Sequence, residues 1–363
     1  MRAVLISAFA QPPSLVTVAD PAPRPDGVVV KVEATGLCRS DWHGWQGHDP
    51  DIELPHVPGH ELAGTIAEVG SQVTSWRPGD RVAVPFICAC GTCPQCRSGN
   101  QQVCTRQLQP GFNYWGSFAE YVAIPYAEVN LVPLPEQVDF QTAAALGCRF
   151  ATSYRAVTSV AAVRPGEWVV VFGCGGVGLS AVMIAVAAGA RVIAVDRQPA
   201  ALDLAVRYGA EHRLPATAEG ADQIAEVAGQ IVELTGGGAE VTIDAIGAES
   251  VVQACLSSLK PRGRHVQIGL LPEPIRLDLS LLAFRELSWL GSHGMAAHEF
   301  PRLLELLGSG TLRPDQLITG TIPLAAVGRA LAEMTDSGTA GITMIDPNLP
   351  DASGLADEHA GPA

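Results

Sequence analysis

The sequence predicts an α/β chain in which a doubly wound parallel sheet is joined to a barrel-like, mainly β region. Three observations carry this. The chain has 363 residues, more than one hydrophobic core ordinarily serves, so two domains are expected. From Met1 to about Cys148 it reads as short apolar runs broken by Pro and Gly. From about Phe150 onward, strand-like runs alternate with helical ones, the pattern of a parallel sheet with helices on its faces.

In the first region Val28–Ala34, Gly64–Gly70 and Arg81–Pro85 are turn-bounded strands, as in a barrel with irregular loops. In the second, strands are predicted over Trp168–Phe172, Arg191–Val195, Val241–Ile246, His265–Gly269 and Leu287–Gly291. Helices are predicted between them over Leu179–Ala188, Pro199–Tyr208, Ala221–Leu234 and Ser250–Leu259. A further helix, Glu299–Leu307, and short segments ending in Gly341–Asp346 are read as the return of the chain to the first region. The expected division is therefore 1–149 with 293–347, and 150–292; the tail 348–363, rich in Pro, Ala, Gly and acids, is expected to be disordered.

Composition narrows the function. Hydrophobic residues make up 47% and charged residues 17%, the balance of a well-buried globular chain. The net charge of −14, with no Lys/Arg-rich run, argues against a nucleic-acid partner. No stretch reaches the roughly 18 apolar residues that span a bilayer, and Val177–Ala190, the nearest, reads better as a buried helix. No export signal is visible at Met1–Ile6, so the nine cysteines are expected in a reducing cytoplasm and their spacing points to metal.

The apolar strand Trp168–Phe172 runs into Gly173-Cys174-Gly175-Gly176-Val177-Gly178 and then a helix. Glycines often mark ordinary turns, but a strand before and a helix after are the context of a Rossmann-type dinucleotide loop. Gly173 allows the tight turn, Gly175 lets backbone approach a pyrophosphate, and Gly178 lets helix pack on strand; the helix N-terminus faces the phosphates. Asp196, 18 residues past Gly178, is placed to accept from the ribose hydroxyls, which favours NAD over NADP. The adjacent Arg197 could instead attract a 2′-phosphate.

Cys90, Cys93, Cys96 and Cys104 form a C-x2-C-x2-C-x7-C array in a lobe spanning 88–106. Four thiolates close a tetrahedral zinc site with no open position, so the site is structural; a disulfide or reactive-thiol role is the alternative. Cys88, Cys174 and Cys255 are given no role. Other ligand-type residues are scattered over Cys38-Arg39-Ser40-Asp41-Trp42-His43, Gly59-His60-Glu61 and Cys148. Taken singly, a Cys or His is more often a packed core residue, and composition alone does not connect these.

Together these segments resemble the zinc-containing alcohol dehydrogenases of the medium-chain dehydrogenase/reductase superfamily, from Met1 to about Asp346. Gly59-His-Glu-Leu-Ala-Gly64 followed by Gly70 resembles the family's zinc signature, Cys38–His43 its first ligand loop and Leu146–Thr152 its third. The resemblance implies a GroES-like fold for the β region, with Cys38, His60 and Cys148 on a catalytic zinc and Glu61 as alternate ligand. Asp41 would hold the His60 ring, Ser40 and His43 would relay a proton, and Arg39 would meet the pyrophosphate. Thr152 and Val177 would press the nicotinamide toward the metal. Phe86 and Trp115, with Trp42 and Trp45 as further candidates, would line an apolar substrate pocket.

The cofactors so implied are NAD and two zinc ions per chain. The reaction is reversible hydride transfer between a primary or secondary alcohol and NAD, with aldehyde or ketone in reverse. A polyol or other specialised alcohol dehydrogenase, a zinc-independent reductase and a non-catalytic relative are the alternatives. The partners expected are the small-molecule substrate and other copies of the chain, with the short Cys104–Trp115 segment favouring a tetramer over a dimer. One departure stands out. Many members carry an arginine toward the pyrophosphate near the last strand, where this chain has Gly341-Ile342; weaker cofactor binding, or substitution by His293 or another group, is the expectation.

Overall fold

The computed structural model describes residues 1–216, 221–334 and 340–350, the side chains of 221–223 excepted. Trp168–Phe172, whose five residues are all buried, lies inside a six-stranded sheet. From one edge the order is His212–Pro215, Arg191–Asp196, Trp168–Phe172, Ala239–Asp244, Leu259–Gln267, Ser288–Gly291. Every neighbouring pair is parallel. A strand buried on both faces reads as a continuous apolar run, as Trp-Val-Val-Val-Phe does. Chain direction across the sheet reverses between Trp168–Phe172 and Ala239–Asp244, and such a switch point, beyond the C-terminal strand ends, is where open α/β sheets bind ligands.

The elements depart from expectation where glycine, proline or polar residues obscure the pattern. The helix expected from Leu179 spans Gly176–Ala187, because the glycines of its first turn carry no helical signal. The strand expected from His265 begins at Leu259; Pro261 and Gly263 read as breakers, but the strand tolerates them beside a register shift at Ala239/Val241. The strand expected to reach Ile246 stops at Asp244, whose Oδ1 accepts from the Ile246 and Gly247 backbone N–H groups at 2.7 and 2.9 Å and turns the chain. His212–Pro215 was not anticipated: it is a half-exposed edge strand with too few apolar residues to show a period.

The other large sheet runs Ile318–Ile322, Ile342–Ile345, Val28–Leu37, Leu62–Val69, Arg81–Val84, Val132–Pro133, with Tyr121–Ile124 also on Val28–Lys31. Its last strand comes home late in the chain, Thr343–Ile345 pairing antiparallel with Leu37–Thr35. One apolar cluster joins the two sheets: Ala34, Ala63 and Ala83 from one, Val169 and Val171 from the other, with Leu146, Phe150 and Tyr154 between them. The candidate site lies along this seam. At the chain end, Arg2 donates to the Pro347 carbonyl at 2.7 Å and Asn348 to Glu33 at 3.1 Å; residues 351–363 of the tail expected from 348 lie outside the described residues. Among the described residues no helix is long and apolar enough to cross a membrane.

Candidate active site and metal centres

The four-cysteine lobe closes as its spacing requires. Cys93 is the N-cap of a single-turn helix, Pro94–Arg97, which lifts Cys96 back toward it. The thiol sulfurs stand 3.4 Å (Cys93–Cys96), 3.7 Å (Cys93–Cys104) and 3.5 Å (Cys104–Cys90) apart. Burial opposes ionisation of Cys90, yet the backbone N–H groups of Thr92 and Cys93 hold its thiol down at about 5. Arg106 adds a donor to Cys90 Sγ at 3.3 Å. Four converging sulfurs with amide and cationic support fit a structural zinc ion.

The second cluster is assembled from three segments. Cys38 is the N-cap of the helix Arg39–Trp45, and Asp41, at its third position, accepts from the Cys38 N–H at 2.9 Å. The same carboxylate takes the Gly59 N–H at 3.1 Å and His60 Nδ1 at 2.9 Å. One side chain thus ties the first ligand loop to the second and sets the imidazole tautomer, as ligating histidines require. Cys148 comes from a π-type turn, Leu146–Phe150, broken at Gly147. Such turns recur at functional sites because they redirect a side chain without ending the helix. A Cβ at Gly147 would stand 2.9 Å from the Glu61 backbone, so only glycine lets the segments meet.

Ligand atoms of Cys38, His60, Glu61 and Cys148 all lie within 4.8 Å of one another. His60 Nε2 is buried and has no hydrogen-bond partner. Burying such an atom is costly unless something accepts its lone pair, and with two thiols facing it the donor set fits a zinc ion. Cys38 is held well below the usual thiol range by the hydrogen bond from Cys148, against burial, with the Arg149 cation helping. Cys148 is raised in turn by the same hydrogen bond and by burial. Ser40 Oγ sits 3.8 Å from Cys38 Sγ.

Across the seam, Gly173 turns the chain with φ +90° and its N–H reaches the Val195 carbonyl at 2.8 Å. A Cβ at Gly178 would lie 1.6 Å from the Gly173 carbonyl oxygen, whereas one at Gly175 would meet nothing within 4 Å. The first glycine is therefore packed shut and the second faces open space, as backbone approach to a phosphate needs. Asp196 accepts from Cys174 N at 2.6 Å and Gln198 N at 2.7 Å.

Comparison with known proteins agrees with this geometry. Residues 24–136 match the family model described as the alcohol dehydrogenase GroES-like domain, and 176–309 the one described as zinc-binding dehydrogenase. An alcohol dehydrogenase of Rhizobium meliloti (strain 1021) is 35% identical over 85% of this chain and 89% of its own. An NAD-dependent alcohol dehydrogenase of Sulfurisphaera tokodaii is 32% identical, covering 96% of this chain and 100% of that one. The cobalt- and zinc-bound thermostable alcohol dehydrogenase from Pyrobaculum aerophilum superposes with a TM-score of 0.83 at 29% identity, over 96% of this chain and 99% of that one. The chain belongs to the zinc-containing alcohol dehydrogenases of the medium-chain dehydrogenase/reductase superfamily.

In this dehydrogenase several expected residues take more particular places. The Glu61 carboxylate accepts from the Arg149 backbone N–H and Nε, both at 3.0 Å, and from Arg149 Nη2. It is thus held by a buried cation as well as facing the ligand cluster. Arg39 lies over the Trp42 ring at 4.0 Å, donates to the Met334 carbonyl and feels the charge of Arg197. Thr152 is buried, and its neighbour Ser153 donates to the Val177 carbonyl at 2.8 Å, coupling the third ligand segment to the glycine loop. Phe86 packs edge-on against His60, with ring centroids 6.1 Å apart.

The other aromatic candidates divide. Trp45 is core, with its indole donating to the Gln11 carbonyl at 2.6 Å. Trp115 is 37% exposed and donates to the Pro55 carbonyl at 3.1 Å. His293 packs edge-on against Phe86, with ring centroids 5.6 Å apart. Sequence reasoning missed Arg149, Ser153, Phe112 and His48. Phe112 lies edge-on to His60 at 5.2 Å, and nothing in the Cys104–Trp115 loop marks it. Arg149 adjoins Cys148, and an arginine in an otherwise apolar run was the available signal for a buried ion pair.

Proposed function

We propose that this dehydrogenase is zinc-dependent and NAD-linked and oxidises primary or secondary alcohols with an apolar body, reversibly. The observation that carries the reading is the buried, unpartnered Nε2 of His60 among the thiols of Cys38 and Cys148. Three protein ligands would leave a fourth position to the substrate oxygen. When bound, the ion supplies Lewis acidity toward that oxygen and the dinucleotide accepts hydride. The chain supplies the rest. Asp41 fixes the His60 ring, Phe86 and Phe112 wall the site against water, and Ser40 stands beside the ligand thiol to take up the alcohol proton.

Cofactor choice rests on Asp196 at the end of the second strand, whose carboxylate keeps lone pairs beyond the two backbone donors it holds. A homo-oligomer belongs to the same reading. Leu270, Leu279 and Phe284 are 82%, 62% and 90% exposed near the sheet-edge strand Ser288–Gly291, and apolar side chains so exposed are usually covered. None of the nine cysteines is in a disulfide, in keeping with a reducing compartment.

The test is metal analysis followed by a panel of aliphatic, aromatic and polyol alcohols, with NAD and NADP in parallel. Two zinc ions per chain, faster turnover of apolar alcohols and preference for NAD are expected. One retained zinc with undiminished turnover after chelation would overturn the catalytic assignment.

A further inference from the structure

The helix Arg39–Trp45 that presents Ser40 and His43 ends in a way that brings a second imidazole onto the first. Gln46 is its C-cap, and Gly47 follows with φ +79°. The His48 N–H reaches back to the His43 carbonyl at 3.0 Å and the Gly47 N–H to the Gly44 carbonyl at 3.0 Å. This is a Schellman closure, which needs a left-handed residue after the cap. Its consequence is that His48, five residues on, lies against His43. The two Nδ1 atoms are 3.0 Å apart, so one carries hydrogen and the other accepts it. Trp42 braces both rings edge-on, at 5.0 Å from His43 and 5.7 Å from His48.

The geometry points to His48 as the outer station of the proton exit, receiving from His43 and delivering to solvent. The inference rests on the alcohol dehydrogenase reading, which delivers a proton to His43. Its balance is simple: His43 gains a hydrogen on Nε2 and releases the one on Nδ1. His48 gains it on Nδ1 and loses one from Nε2 to water, so both rings end neutral as the other tautomer. Partial desolvation of the ring first, then the Arg39 guanidinium and His48, lower the His43 pKa against the opposing pull of Cys38, so the proton does not rest there. The charged and titratable groups around the pair are Arg39 across Trp42, Cys38 at the helix start, Asp49 next in the chain, and the partner imidazole. Both histidines are exposed, which puts bulk water within reach of the outer ring.

The test uses the full-length, zinc-loaded chain. His48→Gln keeps a hydrogen-bonding side chain that cannot pass a proton on. In dilute buffer, alcohol oxidation and proton release followed by an indicator dye should slow about tenfold, recovering with added imidazole, while Tm and NAD affinity stay unchanged. Gly47→Ala, whose Cβ would meet the Phe9 ring at 2.9 Å, should show the same buffer-dependent loss with His48 intact. Imidazole NMR titrations, independent of turnover, should show His43 titrating differently once His48 is replaced.

A His48→Gln rate equal to wild type at every buffer concentration overturns the proposal. So does a loss that imidazole does not relieve and a lowered Tm accompanies, which is the mark of a cap alone. If the wild-type chain oxidises no alcohol, the dehydrogenase reading fails by itself; the relay is then decided by NMR, where unchanged His43 titration in His48→Gln overturns it.

Discussion

At the scale of single residues, the site is decided by who holds whom. Cys38 and Cys104 are both buried thiols, yet the proposed function gives their two clusters opposite purposes. Cys38→Ser should fold and bind NAD but lose turnover at least about a hundredfold, since Lewis-acid stabilisation is worth several kcal/mol. Zinc content should fall to about one per chain. Normal turnover in this variant would remove Cys38 from the chemistry. Glu61 shows what a sequence conceals: its position in the motif was legible, its buried pairing with Arg149 across 88 residues was not. Glu61→Gln strands that guanidinium, and unfolding by urea should show a loss of about 3–5 kcal/mol. A change under about 1 kcal/mol would mean that water or another group satisfies Arg149.

At the scale of elements, the glycine loop was readable because strand, turn and helix are consecutive and each residue's need is local. Gly178 is the sharpest case: its Cα faces the Gly173 carbonyl so closely that a methyl has no room. Gly178→Ala should weaken NAD binding at least about tenfold, ~1.4 kcal/mol, measured by calorimetry; unaltered affinity would show that the loop can shift. The cysteine lobe is equally local. Cys104→Ser should lower Tm and zinc content, because a structural zinc contributes folding free energy, whereas an unchanged melting curve would deny it that role. The π-type turn at Leu146–Phe150 was not readable, since its break at Gly147 follows from the crowding of Glu61 against it.

Over the whole molecule, histidines set the acid limit. His56 and His265 are buried and held below the usual value mainly by desolvation; His43 and His293, although exposed at the surface, are lowered by the same main cause. His265 is satisfied as a neutral ring between Thr242 at 3.0 Å and Gln267 at 3.1 Å. With folded pKa values below the unfolded one near 6.5, the unfolded chain binds more protons as pH falls. Stability is therefore full above about pH 6.5 and declines below it. His60, raised by Asp41 against burial, works the other way, but acid also protonates the ligands that zinc needs. Melting curves at pH 7.5, 6.5 and 5.5 should show Tm falling over the last step; a flat or rising Tm would refute the assignment.

The sequence by itself determined whatever is local in the chain: the alternation that makes a doubly wound sheet, the glycine loop with its acidic residue, and the four-cysteine lobe. Each rests on neighbours a few residues apart, where backbone geometry leaves little choice. The proposed catalytic cluster was visible only as a resemblance, because Cys38, His60 and Cys148 are joined by packing between sheets and not by spacing. Tertiary structure alone decided that Arg149 holds Glu61, that Phe112 rather than Trp45 lies against His60, and that His48 backs onto His43. The physical reason is common to them. Burial makes polar partners obligatory, but only the folded chain reveals which partner is near.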